Sequence, residues 1–144
     1  MRIKTQEQLE EAFVIRKEVF VAEQKVPFED EFDEFDTLKS ECEHILILDS
    51  DNSVGTARLR EVAGVGKLER ICVLKPFRNL GLGKVIVHEL EKIAKEKGLK
   101  SVKLHGQTHA EGFYQNLGYE TASDVFMEDG IPHVLMTKNL GLQD

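Results

Sequence analysis

The chain has 144 residues, with 19 lysines and arginines against 26 aspartates and glutamates, and a formal net charge of −7. This length suits a chain that buries a real core, so we expect a single domain over residues 1–144. The acidic excess disfavours binding to nucleic acid or anionic membranes. Because no apolar stretch approaches the roughly 20 residues of a membrane helix, and the charged start lacks a signal-peptide core, the sequence predicts a cytoplasmic protein.

The two cysteines, Cys42 and Cys72, show neither a Cys-x-x-Cys spacing nor a zinc-type pattern of nearby histidines. A metal or disulfide framework would need spacings of that kind. We therefore expect two buried free thiols and no bound metal.

The first predicted element is an amphipathic helix. Thr5 is a suitable N-cap, and Leu9, Phe13 and Val14 follow it at helical spacing. The pattern predicts a helix that runs to Phe20 or a little beyond.

An acidic run follows Pro27, which is the latest possible end of that helix. Within positions 29–36 the carboxylates are interrupted by Phe32 and Phe35, whose spacing would let a short helix pack onto the body of the protein. Such a run is either a solvated face or an acidic rim that attracts a cationic substrate, and the sequence leaves both open.

The middle of the chain predicts three consecutive antiparallel strands. Residues 43–48 and 54–60 flank the turn-rich stretch 49–53, which suits a hairpin. A glycine-bearing turn at 63–66 then leads into a strand at 67–74.

A helix at 82–97 is predicted from one apolar stripe that ends before Gly98. The stripe consists of Leu82, Val85, Ile86, Leu90, Ile93 and Ala94. A strand at 101–105 follows, and a right-handed crossover would place it parallel to the strand before the helix.

The last third of the chain predicts a helix at 109–116 and two strands at 119–127 and 133–140, separated by a turn at 128–132. Together the elements predict an α/β fold with a mixed central sheet flanked by helices. Its N-terminal and C-terminal strands are antiparallel, and one parallel pair encloses the helix at 82–97.

A glycine-bearing loop between a predicted strand and a predicted helix is the strongest functional signal. It reads Arg78, Asn79, Leu80, Gly81, Leu82, Gly83 and Lys84. Glycines let the backbone approach a ligand closely, and the free N–H groups of a helix N-terminus bind anions. The loop therefore predicts a pyrophosphate cradle.

Two common nucleotide motifs do not fit this loop. A Walker A loop needs a glycine at the position of Arg78 and a hydroxyl residue at the position of Val85. A dinucleotide fingerprint needs a third glycine where Ile86 stands, and a repeated strand and helix array that a chain this short cannot supply. The pattern that remains is Arg-x-x-Gly-x-Gly.

That pattern, at 78–83, resembles the acetyl-coenzyme A motif of the GNAT superfamily of N-acetyltransferases. The preceding strand at 68–73 and the long following helix are also similar to the family. A later segment at 107–119 carries the family's spaced residues Ala110, Phe113, Tyr114, Gly118 and Tyr119. Segments 16–27 and 130–133 are similar to small bacterial members, the ElaA-like group.

The resemblance implies the GNAT fold, with acetyl-coenzyme A (acetyl-CoA) as the donor of the acetyl group. It implies that the pantetheine arm is bonded by backbone groups of Ile71, Cys72 and Val73. Arg78 and the amides of residues 79–84 would bind the pyrophosphate. Gln107 stands where the family usually has asparagine, so a cofactor contact there needs a different reach.

Acetyl transfer to an amine needs a base, a donor to the developing oxyanion and an acid for the leaving thiolate. The resemblance assigns the oxyanion donor to the N–H of Val73. It assigns the acid to Tyr114, which would also lie against the cofactor. On pattern alone, Tyr114 would be a half-buried aromatic residue of an apolar helix face.

Glu69 is the first candidate for the base, because strict alternation along a strand places it on the same face as Ile71 and Val73. The alternative is a structural role, in which Glu69 pairs with Arg58 or Arg60 on the neighbouring strand. The sequence leaves the two roles equally open.

Histidine changes charge near neutral pH, so His105 and His133 are rival bases and candidates for contact with the substrate. Glu23 and Gln24, together with the acidic run at 29–36, predict a cationic amine as the acceptor. The sequence does not distinguish a small molecule from a peptide.

These inferences predict an acetyl-CoA-dependent N-acetyltransferase that moves an acetyl group to a primary amine by direct attack on the thioester. Two alternatives remain: a non-catalytic acyl-CoA binding or sensor protein that keeps the cradle, and an acidic interaction domain without a ligand. The expected partners are acetyl-CoA and an amine acceptor, without nucleic acid, membrane or metal, in a monomer or a homodimer.

Overall fold

The computed structural model of the protein describes residues 1–141, which form one seven-stranded sheet with helices on both faces. The strands are β1 (Glu43–Asp49), β2 (Asn52–Val62), β3 (Val65–Val73), β4 (Ser101–Gln107), β5 (Glu120–Thr121), β6 (Phe126–Glu128) and β7 (Ile131–Asn139). The helices are α1 (Gln6–Arg16), α2 (Phe28–Glu31), α3 (Leu82–Glu96) and α4 (Glu111–Asn116). A π-helical segment, Lys17–Glu23, continues α1.

The strand order is β1-β2-β3-β4-β7-β5, and β6 also pairs with β7. Only the β3 and β4 pair is parallel among the described strands, because α3 connects them by a crossover, and the other pairs are antiparallel. The predicted mixed α/β sheet is therefore confirmed.

The first helix begins where the sequence predicted. The hydroxyl of Thr5 accepts a hydrogen bond from the Gln8 N–H, and the Gln8 side chain accepts one from the Thr5 N–H, each at 3.2 Å. Leu9 is fully buried, but Val14 is 66% exposed, so its place in the apolar stripe was wrong. The π-helical segment carries the chain on to Glu23, a little beyond the predicted Phe20.

Each face of the sheet buries its own apolar cluster. On one face α3 packs its apolar stripe over the centre of the sheet, and Tyr114 and Tyr119 join the same cluster. Val85 was predicted in that stripe but is 49% exposed, because it lies in the first turn of the helix near the cradle. On the other face α1 packs against Leu46 and Cys72 in a smaller cluster.

Three carboxylates of the acidic run form ion pairs with arginines and are not freely solvated. Glu31 and the side chain of Asp36 are almost fully buried, and Asp33 is partly buried. They pair with arginines of α1, β2 and β3, namely Arg16, Arg58 and Arg70. Buried charges need such partners, and both sequence interpretations missed that these arginines supply them.

The phenylalanines of that run do not lie in a helix, because α2 ends before them. Phe32 packs edge-on against Phe13, with the two ring centroids 5.1 Å apart, and the guanidinium of Arg16 lies 4.7 Å from the Phe32 centroid. The guanidinium carbon of Arg60 lies 4.4 Å from the centroid of the Phe35 ring. The aromatic rings thus cover the buried ion pairs.

The predicted strand at 119–127 is two separate short strands, β5 and β6, and both pair with β7. The β6–β7 turn is a two-residue hairpin at Asp129 and Gly130, with φ values of 54° and 76°. An Asp-Gly pair favours this conformation, because both residues tolerate positive φ.

Cys42 and Cys72 are free thiols, 8% and 6% exposed, as the sequence predicted. Burial raises the pKa of the Cys42 thiol to about 12 and also raises that of Cys72. Within residues 1–141, no helix is both long and apolar enough to cross a membrane.

Candidate active site

The parallel strands β3 and β4 separate partway along their length. They pair only from Gly66 and Val102 to Leu68 and Leu104. Beyond that point β3 continues along β2, and β4 continues along β7. The edges that face each other therefore have no strand partner there, and a cavity opens between them.

A bulge in β3 marks the point of separation. Thr56 of β2 pairs with Cys72 and Arg58 pairs with Glu69, so three steps along β3 match two steps along β2. Arg70, inside the bulge, has a φ of 59°, which is uncommon for a residue with a side chain. Its guanidinium donates hydrogen bonds to the Glu31 carbonyl at 3.1 and 3.3 Å.

The bulge moves Glu69 to the opposite face from Ile71 and Val73. Ile71 and Val73 pack against the α3 cluster, whereas Glu69 pairs with Arg58 on the face that carries α1. The alternation that made Glu69 the first candidate base was wrong, because an extra residue in a strand reverses the side-chain direction beyond it. Cys72 also points toward α1, where it packs in one cluster with Ala12 and Ile15.

Glu69 is held by three cations. Its carboxylate accepts hydrogen bonds from Arg58 at 3.0 Å and from Arg60 at 3.0 and 3.2 Å, and Lys67 Nζ lies 3.0 Å away. Burial would raise the pKa of Glu69, but the bonds from Arg60 and the charges of Arg58 and Lys67 outweigh it and hold the pKa at about 2. A carboxylate of that kind is a weak proton acceptor at neutral pH.

The predicted cradle lies at the junction of β3 and α3. Gly81 caps the helix with a φ of 79°, a conformation that favours glycine. The N–H groups of Leu82, Gly83 and Lys84 precede the first intrahelical bond, which Val85 donates to the Gly81 carbonyl at 3.3 Å. A Cβ atom on Gly83 would lie 3.2 Å from the Phe113 ring. The loop therefore offers free amides at a helix N-terminus, which is the geometry of an anion site.

Arg78 is anchored at both ends of its guanidinium. Its Nε donates to the Val73 carbonyl at 2.8 Å, and its two Nη groups donate to the Glu23 carboxylate at 2.6 and 2.8 Å. Hydrogen bonding from Arg78 lowers the pKa of Glu23. Glu23 thus lies at the cradle, whereas the sequence associated it with the acceptor.

Gln24 bridges from the end of the π-helical segment to β4. Its Oε1 accepts a hydrogen bond from Gln107 Nε2 at 2.9 Å, and Gln107 Oε1 lies 2.7 Å from His109 Nε2. Glu23 and Gln24 therefore reach opposite sides of the separation between β3 and β4. The structure brings Gln24 and Gln107 together, although the sequence associated them with different ligands.

Tyr114 lines the cavity from α4. It is 9% exposed, and its hydroxyl has no hydrogen-bond partner among residues 1–141. No fully buried side-chain polar atom in the described chain lacks a partner, so the hydroxyl must reach the open space of the cavity. Burial raises the pKa of Tyr114 to about 12, so the phenol keeps its proton throughout the physiological range.

A group of polar residues on β4 and on the β6–β7 hairpin lines the same cavity as Tyr114. His105 Nδ1 lies 2.7 Å from Glu128 Oε1. His133 donates from Nδ1 to the Ile131 carbonyl at 2.7 Å, and its Nε2 lies 4.0 Å from Glu128 Oε2. The Phe126 ring contacts both imidazoles, with ring centroids 5.1 and 6.1 Å apart.

Sequence reasoning missed Glu128, because it read positions 128–132 only as a turn. The signal that could have found it is the alternation backward from the Asp-Gly hairpin, which pairs Phe126 with His133 across the turn. It also missed Arg70, whose side chain supports the bulge.

The cavity has a volume of about 210 Å³, below the 300–1,000 Å³ of most small-molecule pockets. Five of the sequence-predicted site residues outside the cofactor strand and cradle line it: Gln24, His105, Gln107, Tyr114 and His133. Glu69 and Ile71 contribute from β3. In residues 1–141, no group of three or more histidine, cysteine, aspartate or glutamate side chains could hold a metal ion.

The sequence model of the acetyltransferase (GNAT) domain matches residues 4–140. The chain belongs to the GNAT acetyltransferase family. It is 61% identical to the Bacillus subtilis protein YyaT, over 96% of this chain and 94% of that one. It is 47% identical to YjcF of the same organism, described as an uncharacterized N-acetyltransferase, over 94% and 96% of the two chains.

A solved structure, that of Escherichia coli ElaA, is similar throughout. It is 31% identical in sequence, with a TM-score of 0.84, over 94% of this chain and 93% of that one. This confirms both the predicted family and the similarity to the ElaA group.

Proposed function

We propose that the protein transfers an acetyl group from acetyl-CoA to the primary amine of a small acceptor, by direct attack of the amine on the thioester. The observation that carries this proposal is the free hydroxyl of Tyr114 inside the cavity where β3 and β4 separate. A protein that only bound a coenzyme would have no need for an unpaired proton donor at that point.

The described residues offer a contact for each part of acetyl-CoA, from its pyrophosphate to its acetyl group. The unpaired edge of β3 at 71–73 offers backbone groups to the pantetheine arm, as an added strand would. The free amides at the start of α3 and the guanidinium of Arg78 would hold the pyrophosphate. The cavity beyond Ile71 then receives the acetyl group beside Tyr114.

Three groups would carry the chemistry. The N–H of Val73 would stabilise the oxyanion as a fixed backbone donor. The Tyr114 phenol, which keeps its proton, would donate it to the departing sulfur. The amine must lose a proton to become a nucleophile, so a base is also needed.

His105 is the group best placed to be that base. Its Nδ1–H donates to Glu128, which leaves Nε2 free to accept a proton from the amine. Glu69 does not serve as the base in this proposal, because three cations stabilise its ionised form. Glu128 orients the imidazole through this hydrogen bond.

The test measures thiol release from acetyl-CoA across a panel of primary amines. We expect release that depends on the amine and on the enzyme concentration, with an acetylated amine found by mass spectrometry. Binding of coenzyme A without release for any amine would favour the non-catalytic acyl-CoA sensor. A protein whose thermal unfolding is unchanged by coenzyme A would contradict both functions.

A further inference from the structure

Four carboxylates line the cavity, and they differ in how many cationic side chains pair with them. They are Glu31, Glu69, Glu128 and Asp129. Glu31 and Glu69 are each paired with at least two lysine or arginine side chains. Glu128 pairs only with histidines, and Asp129 has no ion-pair partner within residues 1–141. The uncompensated negative charge of the cavity therefore lies on the β6–β7 hairpin.

Tyr114 offers a hydrogen-bond donor to a polar ligand in the same cavity. Its side chain is about nine-tenths buried, and its hydroxyl has no partner among the described residues but reaches the open space of the cavity. A polar ligand can therefore take up this hydrogen bond in place of solvent. The hydroxyl and the hairpin carboxylates line one cavity, which thus suits a polar ligand.

The two hairpin carboxylates have different tasks. Glu128 is already hydrogen-bonded to His105, so it acts on the reacting nitrogen through the imidazole. That nitrogen must be neutral when it attacks, and it is a neutral amide in the product. It therefore offers no positive charge that a second carboxylate could bind. Asp129 is exposed at the turn, so a charge that it attracts belongs to another part of the acceptor.

We propose that Glu128 and Asp129 select an acceptor that carries a second positive charge away from the reacting amine, and disfavour one that carries a carboxylate there. This inference rests on the proposed function and names its substrate class. A short aliphatic diamine is the simplest member of this class, with one amine at the thioester and the other at the hairpin. An ω-amino acid of the same length would place its carboxylate against Asp129.

The test compares three acceptors of similar length that share one reacting primary amine: 1,5-diaminopentane, pentylamine and 5-aminopentanoate. Their other ends are positive, neutral and negative. We expect kcat/KM to fall roughly two- to fivefold at each step, as for partly exposed ion pairs. Raising the ionic strength should reduce the differences. Equal values for the three acceptors, or a preference for 5-aminopentanoate, would overturn the inference.

Asp129→Asn and Asp124→Asn form a matched pair of variants. Asparagine tolerates the φ of 54° at position 129, so the hairpin should be kept. Asp124 is exposed just before β6 and does not line the cavity. In Asp129→Asn the ratio of kcat/KM between the best and the poorest of the three acceptors should fall to about half or less of its wild-type value. In Asp124→Asn this ratio should not change. An unchanged ratio in Asp129→Asn would contradict the role of this carboxylate.

Calorimetric binding of the three acceptors, with coenzyme A present, separates this inference from the proposed function. Charge-ordered binding that Asp129→Asn weakens supports the inference even if no acetyl group is transferred, and in that case only the proposed function fails. If acetyl groups are transferred but the affinities of the three acceptors do not follow their charges, the proposed function stands and the inference is contradicted.

Discussion

Glu23 forms a two-point ion pair with Arg78, with N···O distances of 2.6 and 2.8 Å. Arg78 is also the side chain that would bind the pyrophosphate of the donor. A carboxylate therefore already occupies the guanidinium that the donor needs, so the two anions compete for it.

Glu23→Gln should tighten the binding of coenzyme A by a few fold, because the amide competes less well with phosphate for Arg78. Isothermal titration calorimetry measures the affinity. Glu18→Gln is the control, since Glu18 is an exposed carboxylate of the same π-helical segment. In an Arg78→Ala background the substitution at Glu23 should have no effect. Weaker binding by Glu23→Gln would mean that Glu23 supports the cradle rather than competing there.

Gly81→Ala should destabilise the protein by about 1–2 kcal/mol, because alanine resists the left-handed conformation with a φ of 79°. Gly112→Ala is the matched control. Gly112 lies in α4 without positive φ, and a Cβ there meets no atom within 4 Å, so alanine should stabilise by up to about 1 kcal/mol. Urea unfolding gives both values. Equal effects of the two substitutions would contradict the assigned cap geometry.

Glu69→Gln should reduce stability more than it reduces catalysis. The pKa of Glu69 is about 2 in the folded protein against an ordinary value of 4.5, so the unfolded chain binds more protons between these values. Stability from this group is therefore present above pH 4.5 and lost as the pH falls toward 2, on the order of 3 kcal/mol in all.

Urea unfolding between pH 6 and pH 2 should show a smaller loss of stability for Glu69→Gln than for the wild-type protein. Glu61→Gln, an exposed carboxylate on β2, should behave like the wild type. If Glu69→Gln keeps its stability and loses turnover, Glu69 is the base after all.

His105→Asn should lower kcat by about 10²- to 10⁴-fold, the usual contribution of a general base, without loss of stability. Glu128→Gln should lower kcat less than His105→Asn does, because the amide oxygen still accepts the hydrogen bond that orients the imidazole. Steady-state kinetics on the two variants measures both losses. A wild-type kcat in Glu128→Gln would exclude the proposed pairing.

Local sequence signals were sufficient for most of the order of elements and for the glycine-capped start of α3. The apolar stripe of α3 and the glycines before it are properties of consecutive residues, so periodicity and turn chemistry report them directly. The positions of Tyr114 and Gln107 followed from the family resemblance, and both line the cavity in the structure.

The face of Glu69 could not be predicted in that way. The bulge at Arg70 carries no glycine, and it is held by Glu31, which is 39 residues away in the chain. Ion pairs between distant segments depend on the finished packing, and alternation along one strand does not contain them. The pairing of His105 with Glu128, 23 residues apart, was missed for the same reason.

The most direct test of the account is a single-turnover measurement on Tyr114→Phe with acetyl-CoA and an accepted amine. The account predicts that acetyl transfer slows about 10²-fold or more, while the affinity for coenzyme A changes little, because only the proton donor is removed. Transfer at the wild-type rate, with the variant correctly folded, would contradict the assignment of the cavity as a catalytic site built around Tyr114.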